Sequence, residues 1–409
     1  MLDPAATTCG GDQARPQTLP CPACGGTEPY EFYRVQQIPV QSTLRFESAA
    51  AALACRRADL RLRFCQDCAL IWNVAFDPSL VEYAATANTS QAASETFSRF
   101  ARELAGRWIE RYRMQGSRVV EVGCGSGAFL CTVCELAGAT GIGIDPSAEP
   151  HPLPEPLRSR VTFQRERLSD AHASLQPNFI ICRHTLEHVA DPVEFLGQVH
   201  RVARGDPEVV VLFEVPDTTR IVSDGAFWDI YYEHCNYFTP ESLEGLFRRC
   251  GFQVLELSRE FNEQYLVIAA KPVSGAMRPV PARDIGRTAI EKIMEFKRRV
   301  STSRRQWRGM VRKRVSRGER VALWGALSKG TAFLSTLDLD ATQVEYVVDI
   351  NPRLWGTYIP ATGQPVVAPA EIVHRPPDVV IVMNPVYLEE ISQEVRSLGV
   401  SADLVPVAA

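Results

Sequence analysis

Several absences narrow this sequence before any motif does. No apolar run approaches the roughly 20 residues that cross a bilayer as a helix. The first residues, Met1-Leu2-Asp3-Pro4, carry neither a charged leader region nor an apolar one, so a secretory leader is not expected and the chain is placed in the cytoplasm with no membrane partner. Neither sign of charge dominates: 44 Lys and Arg stand against 48 Asp and Glu, a net charge of −4. No dense basic stripe with interleaved aromatics is present, which argues against nucleic acid as a partner. The Arg/Lys-rich piece from Lys297 to Arg317 reads as the solvated face of a long helix. Beyond a loose Pro-, Gly-, Thr- and Gln-rich stretch over residues 1–20 there is no low-complexity tract. At 409 residues, 45% hydrophobic and 22% charged, the chain has length for two or three domains and ample material for their cores.

Cysteine is plentiful, with 12 in the chain. Cytosolic thiols stay reduced, so these need a role other than disulfides. Cys21-Pro22-Ala23-Cys24 and Cys65-Gln66-Asp67-Cys68 supply one. Four thiolates in two such pairs can surround Zn²⁺ tetrahedrally. Gly25-Gly26 provides the tight turn after the first pair, and Ala69-Leu70-Ile71-Trp72 follows the second as a strand. No His or further Cys completes an open catalytic position, so this zinc is expected to be structural, closing a module too small to hold itself together. Cys9, Cys55, Cys124, Cys131, Cys134, Cys182, Cys235 and Cys250 read as small core residues.

The most informative run is Val119-Val120-Glu121-Val122-Gly123-Cys124-Gly125-Ser126-Gly127. A β-rich stretch ends in an acid and enters three glycines at alternate positions; a helical pattern follows (Phe129, Leu130, Val133, Leu136). Glycine there lets the backbone turn sharply and approach a ligand. The next strand, Gly141-Ile142-Gly143-Ile144-Asp145, also ends in an acid, placed to hydrogen-bond a ribose diol in a βαβ unit. The spacing E-x-G-x-G-x-G differs from the dinucleotide fingerprint. It resembles the S-adenosylmethionine loop of class I methyltransferases, which makes Glu121, Gly123, Gly125, Gly127 and Asp145 the expected cofactor residues.

The remaining pattern is α/β. Ser94 to Met114 carries a helix period, and strands are expected at Arg118–Val122, Thr140–Ile144, Asn178–Cys182, Glu208–Glu214, Phe252–Ser258 and Gln264–Ala270, the last two as an antiparallel edge hairpin. A long basic helix is expected over Asp284 to Arg317. Beyond it Arg320–Trp324, Val344–Asp349 and Asp378–Asn384 repeat the strand–turn–helix logic of a Rossmann-like unit without a full phosphate fingerprint. The expected organisation is a zinc module over residues 1–75, a class I methyltransferase Rossmann-like domain over 76–275, and a long helix with a C-terminal Rossmann-like domain over 276–409.

That order resembles the C-methyltransferases acting on nucleotide-linked keto sugars in antibiotic pathways, over nearly the whole chain. The matching stretches are the four zinc-knuckle cysteines, Glu121 to Gly127, Arg183-His184-Thr185-Leu186-Glu187-His188, Tyr231-Tyr232-Glu233-His234-Cys235-Asn236-Tyr237-Phe238, and Gly325 to Gly330 with Asp349-Ile350-Asn351-Pro352. The resemblance implies that Tyr231, Glu233 and His234 line the active site. It adds Arg183 to the cofactor residues, Tyr232 and Asn236 to the acceptor residues, and Tyr83, by a looser match, to the catalytic ones. Met383-Asn384-Pro385 departs from the Trp-Asn pair usual in that family.

Methylating carbon requires a C–H made nucleophilic, which an adjacent ketone, a base and an enolate-stabilising donor provide. His234 is the expected base, with His184, just beyond a strand end, as runner-up. Glu233 would orient an imidazole or bind a sugar hydroxyl, and Tyr231 would donate to an oxyanion. The same cluster also reads as polar packing ahead of a helix capped by Thr239. His188 reads as structural. Lys329 and Asp349 would hold the phosphate and ribose of a nucleotide-bearing acceptor, or belong to a Rossmann fold kept for packing. Two other functions stay open: O-, N- or C-methylation of a non-sugar metabolite, and a non-catalytic zinc and cofactor-fold binding protein.

Overall fold

The computed structural model describes residues 19–82, 93–150, 152–273 and 286–407. Tyr83 lies outside them. Among the described residues no helix is long and apolar enough to cross a membrane.

The central sheet has seven strands. From one edge to the other they are Phe252–Glu260, Tyr265–Pro272, Val210–Pro216, Phe179–Arg183, Arg118–Val122, Thr140–Ile144 and Val161–Gln164. The last five run parallel; Tyr265–Pro272 is antiparallel to both its neighbours. Helices on both faces bury the inner strands completely, which is why Phe179–Arg183 and Val210–Pro216 are near-continuous apolar runs. Val161–Gln164 escaped the strand expectation because four residues carry too little alternation to register. Ser94 caps the helix Glu95–Tyr112, its side chain accepting from the Phe97 N–H. Thr239 caps Pro240–Arg249 as expected.

A second sheet forms near the N-terminus from the antiparallel strands Tyr30–Pro39, Arg57–Phe64 and Ile71–Asn73. Its fourth strand is Asn236–Tyr237, which pairs with Ile71 and Trp72. The peptide carrying the Tyr/Glu/His cluster is therefore stitched into the cysteine-bearing module. A third, all-parallel sheet orders Val366–Val367, Val347–Val348, Val321–Trp324, Val379–Val382 and Asp403–Pro406.

The basic helix spans Gly286–Val315, and one face of it is not solvated. Phe296 is buried against Phe32 and Tyr33, and Trp307 meets Phe333 edge-on. Arg304 and Arg308 donate to the carbonyls of Thr336 and Leu337, the last turn of the helix Ser328–Leu337, where unpaired carbonyls and the negative dipole end attract cations. A continuous apolar core thus joins the N-terminal sheet, this helix and the C-terminal sheet, while the cysteine cluster packs into the core on one face of the central sheet.

Candidate active site

Where the three sheets meet, a cavity of about 1040 Å³ opens. The glycine loop forms part of its wall, with φ of 71° at Gly123, 51° at Gly125 and 73° at Gly127. The three glycines serve different ends. A Cβ on Gly123 would stand 2.0 Å from Thr185 Oγ1, and one on Gly127 2.3 Å from the Phe163 ring. A Cβ on Gly125 would meet nothing within 4 Å among the described residues. Packing demands the first and third; Gly125 faces open space. Asp145 Oδ2 accepts from the Gly125 N–H at 2.9 Å and Oδ1 from the Ser147 N–H at 2.7 Å, tying the loop to the next strand. Glu121 is buried and accepts from the Leu130 N–H at 3.1 Å. Burial pushes its carboxyl up to about 8 against the opposing pull of Arg183.

Arg183 is fixed in the interior. Its guanidinium forks onto Glu214 at 3.0 and 3.3 Å and lies over the Phe129 ring at 4.0 Å. Glu214 is fully buried; burial raises its pKa, but Arg183 and His184 outweigh that and bring it to about 2. His184 Nε2 sits 2.6 Å from Glu214 Oε1, and its backbone takes a left-handed φ of 49° that lets its N–H reach the Glu214 carbonyl at 2.9 Å.

Across the cavity, Glu233 Oε1 accepts from the Ser42 N–H at 2.9 Å and from the Ser42 hydroxyl, while its Oε2 has no partner among the described residues. Burial raises its pKa. The His234 ring stands edge-on to Tyr231 and to His188, with centroids 4.7 Å apart in each case. Burial, then the neighbouring His188, His184 and Lys329, hold His234 well below 6.5, so its imidazole is neutral. The Tyr231 hydroxyl donates to Asp229 Oδ1 at 3.1 Å, and burial beside that carboxylate raises its pKa well above 10. Asp229 also pairs with Lys329 and, at 2.5 Å, with Arg220. Arg220 in turn pairs with Asp224 at 3.4 Å, so two cations are balanced by two carboxylates. Asp349 accepts from the N–H groups of Ala326 and Asn351, as Asp145 does from Gly125 and Ser147, so the two Rossmann-like turns are built alike.

Tyr231, Glu233, His234, His184, Lys329 and Asp349 therefore come together on one cavity with Glu121, Gly125, Asp145 and Arg183. Tyr232 and Asn236 do not join them: they sit in the packing behind the wall. The Tyr232 hydroxyl donates to the Ala75 carbonyl and accepts from the Asp77 N–H, and Asn236 Nδ2 donates to the Val189 carbonyl at 2.6 Å. The Tyr232 hydroxyl and the Asn236 amide nitrogen fasten backbone, and neither residue lines the cavity, which corrects their expected part in binding the acceptor. Missed by sequence reasoning were Ser42, Asp229, Arg220, Glu187 and Glu214. Glu187 stood in the matching stretch Arg183 to His188 without a role, and Glu214 was a lone acid inside Val210–Pro216. Gln264 and Asn384 form a reciprocal amide pair at 3.0 and 3.1 Å across the same cavity. The four thiols do cluster: Cys21 and Cys68 Sγ are 3.6 Å apart, and Cys24 and Cys65 3.5 Å. Tetrahedral Zn–S bonds of about 2.3 Å put sulfurs about 3.8 Å apart, so the set is compatible with zinc.

A seven-stranded sheet of this order with a glycine loop and an acid at the next strand end defines an S-adenosylmethionine-dependent methyltransferase, and the methyltransferase domain family matches residues 97–257. The C-methyltransferase C-terminal domain family matches residues 281–402. The chain is 26% identical over 309 residues to C-methyltransferase NovU of Streptomyces niveus, covering 71% of this chain and 72% of that one. It is 32% identical over 109 residues to a ubiquinone biosynthesis O-methyltransferase of Pseudomonas syringae pv. tomato, covering 25% of this chain and 47% of that relative. Among solved structures, the 1,6-didemethyltoxoflavin-N1-methyltransferase of Burkholderia thailandensis aligns at 17% identity with a TM-score of 0.33, covering 44% of this chain and 82% of that one. The protein is an S-adenosylmethionine-dependent methyltransferase, and the two domain matches with the likeness to NovU support a place among the C-methyltransferases.

Proposed function

We propose that the protein methylates the carbon α to a ketone on a nucleotide-linked deoxysugar in natural-product biosynthesis. The observation that carries this is that Tyr231, Glu233 and His234 share one cavity with Gly125, Asp145 and Lys329. Likeness to a relative named as a C-methyltransferase supports the same reaction type.

Gly125, Asp145, Glu121 and Arg183 are the residues that would hold S-adenosylmethionine, which supplies an electrophilic methyl group when bound. His234, neutral because it is buried, accepts the α-proton and leaves an enolate whose carbon is the nucleophile. Tyr231 keeps its proton over the whole working range and hands its hydrogen bond from Asp229 to the enolate oxygen. Glu233, anchored through one oxygen by Ser42, offers the other to a sugar hydroxyl. Lys329, which lines the cavity beside Asp229, suits a phosphate of the acceptor's nucleotide. The thiol cluster holds a structural zinc.

The test is a panel of nucleotide-linked keto sugars, and non-sugar ketones and phenols as competitors, incubated with ¹³C-methyl-labelled cofactor. A new carbon–carbon bond beside the ketone in a sugar product is expected. A methyl on oxygen or nitrogen, or turnover confined to the non-sugar acceptors, sinks the proposal.

A further inference from the structure

The geometry points to a second metal site, in the cavity wall: Glu187, His188 and His234 form a three-ligand set for a divalent cation of the zinc, cobalt or copper class. One ligand atom from each lies within 4.8 Å of the other two. The two imidazoles meet edge-on, 4.7 Å between centroids at 88°. His188 Nδ1 lies 3.0 Å from the Glu233 carbonyl oxygen. A carbonyl can only accept, so Nδ1 carries the proton and the lone pair is on Nε2. Metal-bound histidines are oriented in this way, by a second hydrogen bond to backbone. The His234 ring is held by ring contacts with Tyr231 and Tyr237.

Glu187 supplies the independent observation. Its residue is 2% exposed, yet among the described residues its Oε2 finds no hydrogen-bond partner, and its Oε1 is 3.9 Å from His184 Nδ1. Burial raises the Glu187 pKa to about 7 against the pull of His184, so its unpaired oxygen is relieved by a proton or, once ionised, by a cation. Two imidazole nitrogens and a carboxylate suit borderline cations better than Mg²⁺ or Ca²⁺. Zn–N bonds of about 2.0–2.1 Å put neighbouring ligands about 3.4 Å apart, so small side-chain rotations close the set. All three residues line the cavity, which leaves the remaining coordination positions open. The four-thiol cluster is the opposite case, closed by four protein ligands.

The functional consequence rests on His234 being the base. A cation on its lone pair excludes proton removal, so metal loading and carbon deprotonation compete for one nitrogen.

Cobalt is the probe. Protein with its cysteine site already filled is titrated with Co²⁺ in the absence of acceptor. One further ion per chain is expected, with visible d–d bands and no thiolate charge-transfer band. Glu187→Gln and His188→Gln should each weaken it at least tenfold, while His200→Gln leaves it unchanged. Affinity for S-adenosylhomocysteine confirms that each variant is folded. Should the variants not fold, pulsed EPR of the Cu²⁺-loaded wild type decides, with two coupled imidazoles expected. Unchanged affinity in both ligand variants, a copper spectrum without coupled imidazoles, or no ion beyond the cysteine site overturns the proposal. None of these readouts involves methyl transfer. A failed acceptor panel leaves the cobalt spectrum standing, and a missing spectrum leaves the acceptor result standing.

Discussion

Glu214→Gln removes one negative charge from a place water cannot reach. Wild-type Glu214 is fully buried, forked by Arg183 and 2.6 Å from His184 Nε2. Its pKa falls from 4.5 to about 2, and that shift corresponds to about 3 kcal/mol of stability. Removing one partner of a buried ion pair costs about 3–5 kcal/mol by a separate line of evidence, because the other charge is stranded. Both give the same size. The sign follows from the depressed pKa: the contribution is complete above 4.5 and is lost as pH falls through about 2. The chain has several cores, so a single unfolding free energy is a poor measure. Amide exchange in Phe179–Arg183 and Val210–Pro216, followed by mass spectrometry, reads the affected strands directly. At pH 7 the variant should lose protection on the order of a hundredfold, and the two proteins should converge in acid as wild-type Glu214 takes up its proton. A loss below about tenfold, or a constant gap down to pH 2, would refute the electrostatic account.

Cys21→Ser or Cys68→Ser should abolish a stoichiometry of about one zinc per chain and lower solubility and stability more than the chemistry of the folded fraction; fully stable metal-free protein counts against a structural zinc. Gly125→Val should block S-adenosylhomocysteine binding in calorimetry, because its side chain would project into the space Gly125 leaves open. Asp145→Ala should weaken that binding by about 1–3 kcal/mol; unchanged affinity in both refutes the cofactor assignment. His234→Gln should keep cofactor affinity, lose about a hundredfold or more in kcat, and stop exchange of the acceptor's α-proton with solvent deuterium. Because burial holds wild-type His234 well below 6.5, no acid limb of kcat should fall near pH 6.5; protonation of this residue there would contradict its neutral state.

How far the sequence could be read depended on distance along the chain. The glycine loop, its flanking strands and Asp145 lie within one βαβ unit, so spacing alone predicted them. The cysteine pairs were recognisable because each pair is local, although their meeting is not. The partners that tune the site come from afar: Ser42 reaches Glu233 across 191 positions, and Lys329 reaches Asp229 across 100. No local pattern encodes such pairings. Tyr232 and Asn236 misled for a different reason. Polar aromatics bunched before a helix have the same appearance whether they meet a ligand or fasten backbone, and here the Ala75 and Val189 carbonyls decide it. The long helix was read in the right place, its expected start at Asp284 lying outside the described residues, but its arginines were given to solvent because the helix end they cap is formed by residues not yet reached in the sequence.

The two-residue strand Asn236–Tyr237 has a consequence for synthesis. The cysteine-bearing sheet leaves the ribosome early, yet its edge at Ile71–Asn73 stays open until most of the central sheet has been made. An unpaired edge is a template for wrong partners, and long-range pairings of this kind form late. The residues that close the edge directly follow Tyr231, Glu233 and His234. The last act of sealing the first-made module is therefore also the act that seats the proposed base. A nascent or truncated chain that stops short of this strand can own an intact glycine loop and still have nowhere to carry out the chemistry.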